Sequence, residues 1–232
     1  MSVAEKIIDF IKSLHFPVTL PDEIIIMNPF QDALTLQYCK KFYKKFYADS
    51  NKRYMIIGIN PGRFGGGITG IPFTDPIRLQ QDVGIINSWP KKQELSSVFV
   101  YELIHAFGGA HAFYKNFYFS SVSPLGFTRK DKNLNYYDDR SLQESMKDFV
   151  IDCMWRQLDF GIHREVAFCL GEGKNYFYLT KLNNELKFFD AIIPLSHPRF
   201  IMQYRLKRKE EYIKHYIEQF QLFVDNKKSI AG

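Results

Sequence analysis

The sequence holds three cysteines in 232 residues, at positions 39, 153 and 169. They are odd in number, far apart and without a C-x-x-C pair, so they point to neither a disulfide framework nor a zinc or iron–sulfur site, and a reducing compartment is expected. The six histidines form no H-E-x-x-H and no tight cluster, so no metal site is expected. No apolar run approaches the length of a bilayer span and no secretory pattern opens the chain. An intracellular protein is therefore expected, cytoplasmic in a bacterium or nuclear in a eukaryote, with no membrane partner. Also missing is any Pro/Gly/Ser-rich linker, which predicts a single domain over residues 1–232. A P-loop is absent as well. Gly62 and Gly67 have its spacing, but Ile68 stands where that motif needs lysine.

What is present is aromatic and basic. The chain carries 22 Phe and 14 Tyr and a net charge of +6, which suits an aromatic core and a polyanionic partner. Its central stretch is YMIIGINPGRFGGGITGIPF, residues 54–73. Residues 54–59 are almost wholly apolar, as in a strand buried on both faces. Gly62, Gly65, Gly66, Gly67 and Gly70 follow, and their backbone can approach a ligand where a Cβ would collide. Gly65, Gly67 and Gly70 also spell G-x-G-x-x-G. The dinucleotide fingerprint needs a helix to open inside its glycines, and Pro72 and Pro76 are expected to hold the backbone out of helix until about Ile77.

Periodicity predicts an amphipathic helix over 3–14, a short apolar run over 24–27, and a helix over 32–47 with Tyr38, Phe42 and Phe46 on one face between lysine pairs. Further strands are predicted at 116–122, 166–170 and 190–195. Residues 129–139 read as a mobile surface arm. Ser141 and Glu144 read as a capping box for a helix reaching Leu158. A helix over 206–224 opens on Arg205, Lys207, Arg208 and Lys209, a basic cluster that opposes the helix dipole unless a polyanion lies near. Strands interleaved with helices predict a three-layer α/β/α sandwich with a mostly parallel four-stranded sheet. Asn60, Ser121, Ser123, Lys174 and His197 follow its strands and should meet at one edge.

These residues resemble a family, the single-strand-selective monofunctional branch of the uracil-DNA glycosylase superfamily. GINPGRFGGGITGIPF follows its G-M-N-P-G-P-F-G…T-G-V-P-F-G run, with Asn60, Gly62, Phe64, Gly70, Pro72 and Phe73 in place. Asn28-Pro29, Ser123-Pro124-Leu125, Leu170-Gly171-Glu172-Gly173 and His197-Pro198 match its other elements. The resemblance implies that Asn60 positions the attacking water, that Phe73 stacks on an extruded base, and that His197 hydrogen-bonds the base oxygen where charge develops. Gly62, Phe64, Ser121 and Ser123 then bind substrate, while Lys174, Arg199, Phe200 and Arg205 meet DNA. No cofactor is implied, and a monomer acting on DNA with deaminated bases is expected.

Two places depart from the family. Ser121 stands where the family carries an Asn that reads the pyrimidine edge, which extends the expected substrates from uracil to xanthine or hypoxanthine. After His197-Pro198 the family's Ser-Pro-Arg-Asn-Pro is replaced by Arg-Phe-Ile-Met-Gln-Tyr-Arg. Arg199, Phe200, Ile201 and Met202 are all candidates for the wedge that fills the gap left by a flipped base, with Arg199 preferred. Two rivals stand beside this reading: a nucleotide-binding enzyme built on the Gly65 to Gly70 loop, and a DNA-binding module without catalysis.

Overall fold

The structure is a computed structural model that describes residues 1–20 and 23–224. In chain order it contains α1 (Val3–Lys12), β1 (Ile24–Met27), α2 (Ala33–Phe46), β2 (Arg53–Gly58), α3 (Gly66–Thr69), α4 (Pro76–Gln81), α5 (Leu95–Ala106), α6 (Ala110–Asn116) and β3 (Phe117–Ser121). Then come β4 (Gly126–Arg129), β5 (Lys132–Leu134), α7 (Arg140–Ser145), α8 (Lys147–Leu158), β6 (Ile162–Leu170), α9 (Lys174–Leu186), β7 (Ala191–Leu195), α10 (Pro198–Tyr204) and α11 (Lys209–Val224).

Four strands pair in parallel in the order β3-β2-β6-β7. Every residue of β2 and β3 is buried, as a parallel sheet covered on both faces requires. The pleat sends alternate side chains of β3 to opposite layers. Phe117 and Phe119 meet Phe113 of α6, and Phe117 also meets Phe220 of α11, with ring centroids 4.5 Å apart. Tyr118 and Ser120 face the other way and bond Gln157 of α8. Burial of each such Phe is worth about 1.5–3 kcal/mol and its ring pairs add roughly 0.5–1.5 kcal/mol each. The phenylalanine excess is thus spent largely on the core. All three cysteines are buried free thiols, and burial pushes Cys153 and Cys169 up to about 12 and Cys39 higher still.

Three sequence expectations need correction. Residues 129–139 are not a free arm. β4 and β5 form a hairpin that joins β1 in a separate antiparallel sheet, order β1-β4-β5, and Tyr136 beyond it is fully buried. The turn residues Lys130 and Asp131 both have positive φ, 49° and 58°, the conformation of a tight hairpin usually written with Asn-Gly or Asp-Gly.

Ser141 caps nothing: the N-cap is Asp139, which accepts from the Leu142 N–H at 2.9 Å, and Glu144 pairs with Arg140 instead. A capping box of that type does exist, at Ser2 and Glu5 of α1. Finally, α11 does not open on a basic cluster. Residues 206–208 form a 3-10 turn, the first helical turn carries Glu210 and Glu211, and Arg208 and Lys209 are paired with Glu211 and Glu102. The dipole conflict that asked for a polyanion at that point disappears.

Candidate active site

Parallel pairing brings the C-terminal ends of all four strands to one edge: Gly58 lies opposite Ser121, and Leu170 opposite Leu195. The chain leaves β2 for β3 on one side and returns to β6 on the other, so the crevice opens where the strand order reverses. It measures about 870 Å³. Its lining brings together Asn60, Gly62, Phe64, Phe73, Ser121, Lys174, His197, Arg199 and Phe200.

Two predicted residues lie outside it. Ser123 is fully buried, its Oγ donating to the Leu125 carbonyl at 2.7 Å and accepting the Leu125 N–H. Arg205 sits at the end of α10 with its guanidinium 5.2 Å from the centre of the Phe200 ring. Among the wedge candidates, Ile201 is fully buried, which removes it, while Arg199 and Phe200 are exposed on the rim.

The glycine-rich loop is built to place Phe73. A Cβ on Gly58 would come within 2.7 Å of the Phe73 ring, so a glycine at the strand end lets that ring lie across it. Phe73 itself is left-handed, φ 53°, a conformation that costs a non-glycine residue about 1–3 kcal/mol and recurs at functional sites. Its neighbours hold it there: Thr69 Oγ1 donates to the Thr74 carbonyl at 2.6 Å, and Thr74 Oγ1 meets the Tyr101 hydroxyl at 3.0 Å. The ring centre lies 5.2 Å from Phe119 and 6.3 Å from His197.

Contrary to the expectation from Pro72 and Pro76, a single turn of helix, α3, forms inside the glycines. Proline restrains only the residue before it, so 66–69 were free to wind. The turn nevertheless makes a poor phosphate cradle, because the N–H groups of Gly65 and Gly67 both point at the Gly62 carbonyl. That geometry disfavours the dinucleotide rival.

His197 caps α10. Its Nδ1 accepts the Arg199 N–H at 3.1 Å, so in the neutral ring the proton sits on Nε2, which is left as a donor. Desolvation, reinforced by the Arg199 charge, lowers its pKa to about 4, so the ring is neutral at ordinary pH. Asn60 is gripped by the end of β5 and the residues just past it: Oδ1 accepts the Tyr136 N–H at 3.0 Å and Nδ2 donates to the Leu134 carbonyl at 3.2 Å. Ser121 Oγ donates to the Ser123 carbonyl at 2.7 Å, which leaves its lone pairs as acceptors toward the crevice.

Sequence reasoning missed several walls of this crevice. Lys132, Asn133, Asn135, Tyr137 and Asp138 line it because the supposed arm docks beside Asn60, and Lys174 Nζ lies 5.6 Å from the centre of the Tyr137 ring. Asn175 also lines it. Its Nδ2 donates to the carbonyls of Gly58 and Leu170 at 3.3 and 3.0 Å, joining β2 to β6, and its position just after the third-strand glycine turn was the available signal. Glu94, ahead of α5, had no signal. Its carboxylate occupies the space a Cβ on Gly62 or Gly65 would need, and burial, with Asp75 nearby, raises its pKa. Among the described residues no group of three or more His, Cys, Asp and Glu side chains is placed to hold a metal ion, and no helix is long and apolar enough to cross a membrane.

No curated protein sequence matches the chain. The crystal structure of wild-type SMUG2 from Pedobacter heparinus is similar at 49% sequence identity and a TM-score of 0.95, over 97% of this chain and 99% of that one. The profile of the uracil DNA glycosylase superfamily matches residues 44–221, a span from the end of α2 into α11 that contains every lining residue named above. The chain belongs to the uracil DNA glycosylase superfamily.

Proposed function

We propose that the crevice hydrolyses the N-glycosidic bond of uracil, and of the deaminated purines xanthine and hypoxanthine, in DNA, leaving an abasic site. The observation that carries this reading is the placement of His197, whose Nδ1 accepts the Arg199 N–H while its ring lies 6.3 Å from that of Phe73 between centres. A neutral imidazole with Nδ1 committed to a helix cap presents one Nε2–H donor beside the Phe73 ring. A base must leave the stack to be cut, and the slot between an aromatic face and a glycine-lined strand end suits it. As the bond to the sugar breaks, negative charge moves onto the base, and one preorganised donor to that charge is worth about 3 kcal/mol. Asn60 is no general base, so its part is to orient water while leaving-group stabilisation supplies the driving force.

Base choice follows from Ser121. With its hydroxyl proton on Ser123, the side chain accepts but does not donate in that direction. Uracil, xanthine and hypoxanthine all offer a ring N–H to such an acceptor. Arg199 and Phe200 are the wedge candidates on the rim, and Lys174 is a phosphate contact.

The test is base release from matched single- and double-stranded oligonucleotides carrying one uracil, xanthine or hypoxanthine, with abasic sites revealed by alkali. Release that falls sharply in Asn60→Ala and His197→Ala supports the reading, and release of uracil alone restricts it. No release from any substrate by folded wild-type protein overturns it in favour of a DNA-binding module. Strand cleavage without alkali would overturn the monofunctional assignment.

A further inference from the structure

Asn60 is only partly buried and lies past the end of its strand, where nothing in β2 fixes its carboxamide. The torsion that orients such an amide is broad and soft. Both ends of the amide are nonetheless engaged, and by one segment, through the Tyr136 N–H and the Leu134 carbonyl.

That segment is held in turn by the Tyr136 side chain. The ring is fully buried and packs 5.0 Å from Tyr178 of α9 between ring centres. Its hydroxyl donates to Asn175 Oδ1 at 2.9 Å. Burial pushes the phenol far above its ordinary pKa, so it keeps its proton. Asn175 closes the path by donating to Gly58 at the end of β2 and Leu170 at the end of β6. A circuit therefore runs from Gly58 through Asn60, the Tyr136 backbone, the Tyr136 phenol and Asn175 back to Gly58.

We propose that Tyr136 is a positioning residue for Asn60, a latch whose phenol, anchored on Asn175, holds its own backbone N–H where it sets the direction of the Asn60 carboxamide. The inference rests on the glycosylase reading of the crevice. Removing the phenol oxygen leaves the aromatic ring in the core but opens the circuit, and the amide then loses its fixed direction toward a water. Misplacement of a reacting group by about 1 Å can cost up to roughly 10²-fold in rate. A latch that loosens without letting go should cost about tenfold.

The experiment compares full-length wild type, Tyr136→Phe and Asn60→Ala. Single-turnover rate constants and Kd are measured on a duplex oligonucleotide carrying the base that wild type releases, and amide hydrogen exchange is followed over residues 132–138. The expected result for Tyr136→Phe is a rate about tenfold lower with Kd within twofold of wild type. Exchange over 132–138 should accelerate in both variants, since each opens the same circuit. A wild-type rate in Tyr136→Phe, or a loss carried wholly by Kd, overturns the proposal. So does unchanged exchange in Asn60→Ala, a measurement that needs no folded Tyr136 variant. If wild type releases no base, the glycosylase reading fails on its own, and the exchange data still decide whether Tyr136 and Asn60 are coupled.

Discussion

The two sides of the crevice hold their working side chains by opposite means. His197 is fixed by its own next turn: the residue two places on donates the N–H that sets its tautomer. Asn60 is fixed by residues 74 and 76 positions away, one at the end of a hairpin belonging to another sheet and one just beyond it. A locally held group keeps its geometry whenever its helix forms, whereas a distally held group depends on the docking of a separate element. The chemistry is therefore expected to be robust on the His197 side and sensitive to remote change on the Asn60 side.

The largest effect tests the local side. His197→Ala is expected to lower the single-turnover rate by about 10²–10³ with DNA binding nearly intact, the usual cost of one lost donor to a developing anion. In wild type, activity should not fall through pH 6.5 on account of this residue, because its folded-state pKa is about 4. Stability has the matching sign. The unfolded imidazole binds its proton near 6.5, so the stability that neutral His197 contributes is complete above that pH and is lost as pH falls toward about 4. Thermal melts of wild type and His197→Gln across that range measure it, and equal pH slopes would count against the assignment.

Next in size, Gly58→Ala forces a Cβ to within 2.7 Å of the Phe73 ring. A loss of about 1–3 kcal/mol in denaturant unfolding is expected, together with slower base release. An active, fully stable variant would mean that the strained Phe73 loop yields freely and that the distal side is softer than its contacts imply.

A smaller pair of changes separates two serines that the sequence presents alike. Ser123→Ala should cost about 1–3 kcal/mol of stability, for the buried Leu125 groups it satisfies, and leave the ranking of released bases unchanged. Ser121→Ala should alter that ranking, and cost less stability than Ser123→Ala because its hydroxyl satisfies one buried carbonyl, that of Ser123, rather than two backbone groups. The smallest effect is expected at Arg205, which lies off the crevice. Arg205→Ala should change the salt dependence of DNA binding less than Arg199→Ala does, and an equal change would extend the interface past α10.

The same contrast explains what the sequence made legible. The parallel sheet, its buried strands and the convergence of Asn60, Ser121, Lys174 and His197 were readable because they follow from apolar runs ending in glycine and proline. The helix that His197 caps was not read from the sequence, although Pro198 stands at its first position. The clamp on Asn60 was hidden for a physical reason. Its hairpin turns on Lys130 and Asp131, residues that adopt positive φ without advertising it, so polar residues 129–139 read as solvated chain. The docking of Tyr136 is a tertiary event with no local periodicity. Ser123 misled in the opposite sense, since a hydroxyl at a strand end looks the same whether it faces a ligand or the backbone.

The buried thiols have a practical consequence. With every cysteine sequestered in the core and its thiolate suppressed, the folded protein presents almost no nucleophilic sulfur to a maleimide or iodoacetamide. A single cysteine introduced on the exposed Lys130–Asp131 turn would then be the site that takes a fluorophore, with the native residues left in place. Such a label would report whether the hairpin stays docked beside Asn60 when DNA is added.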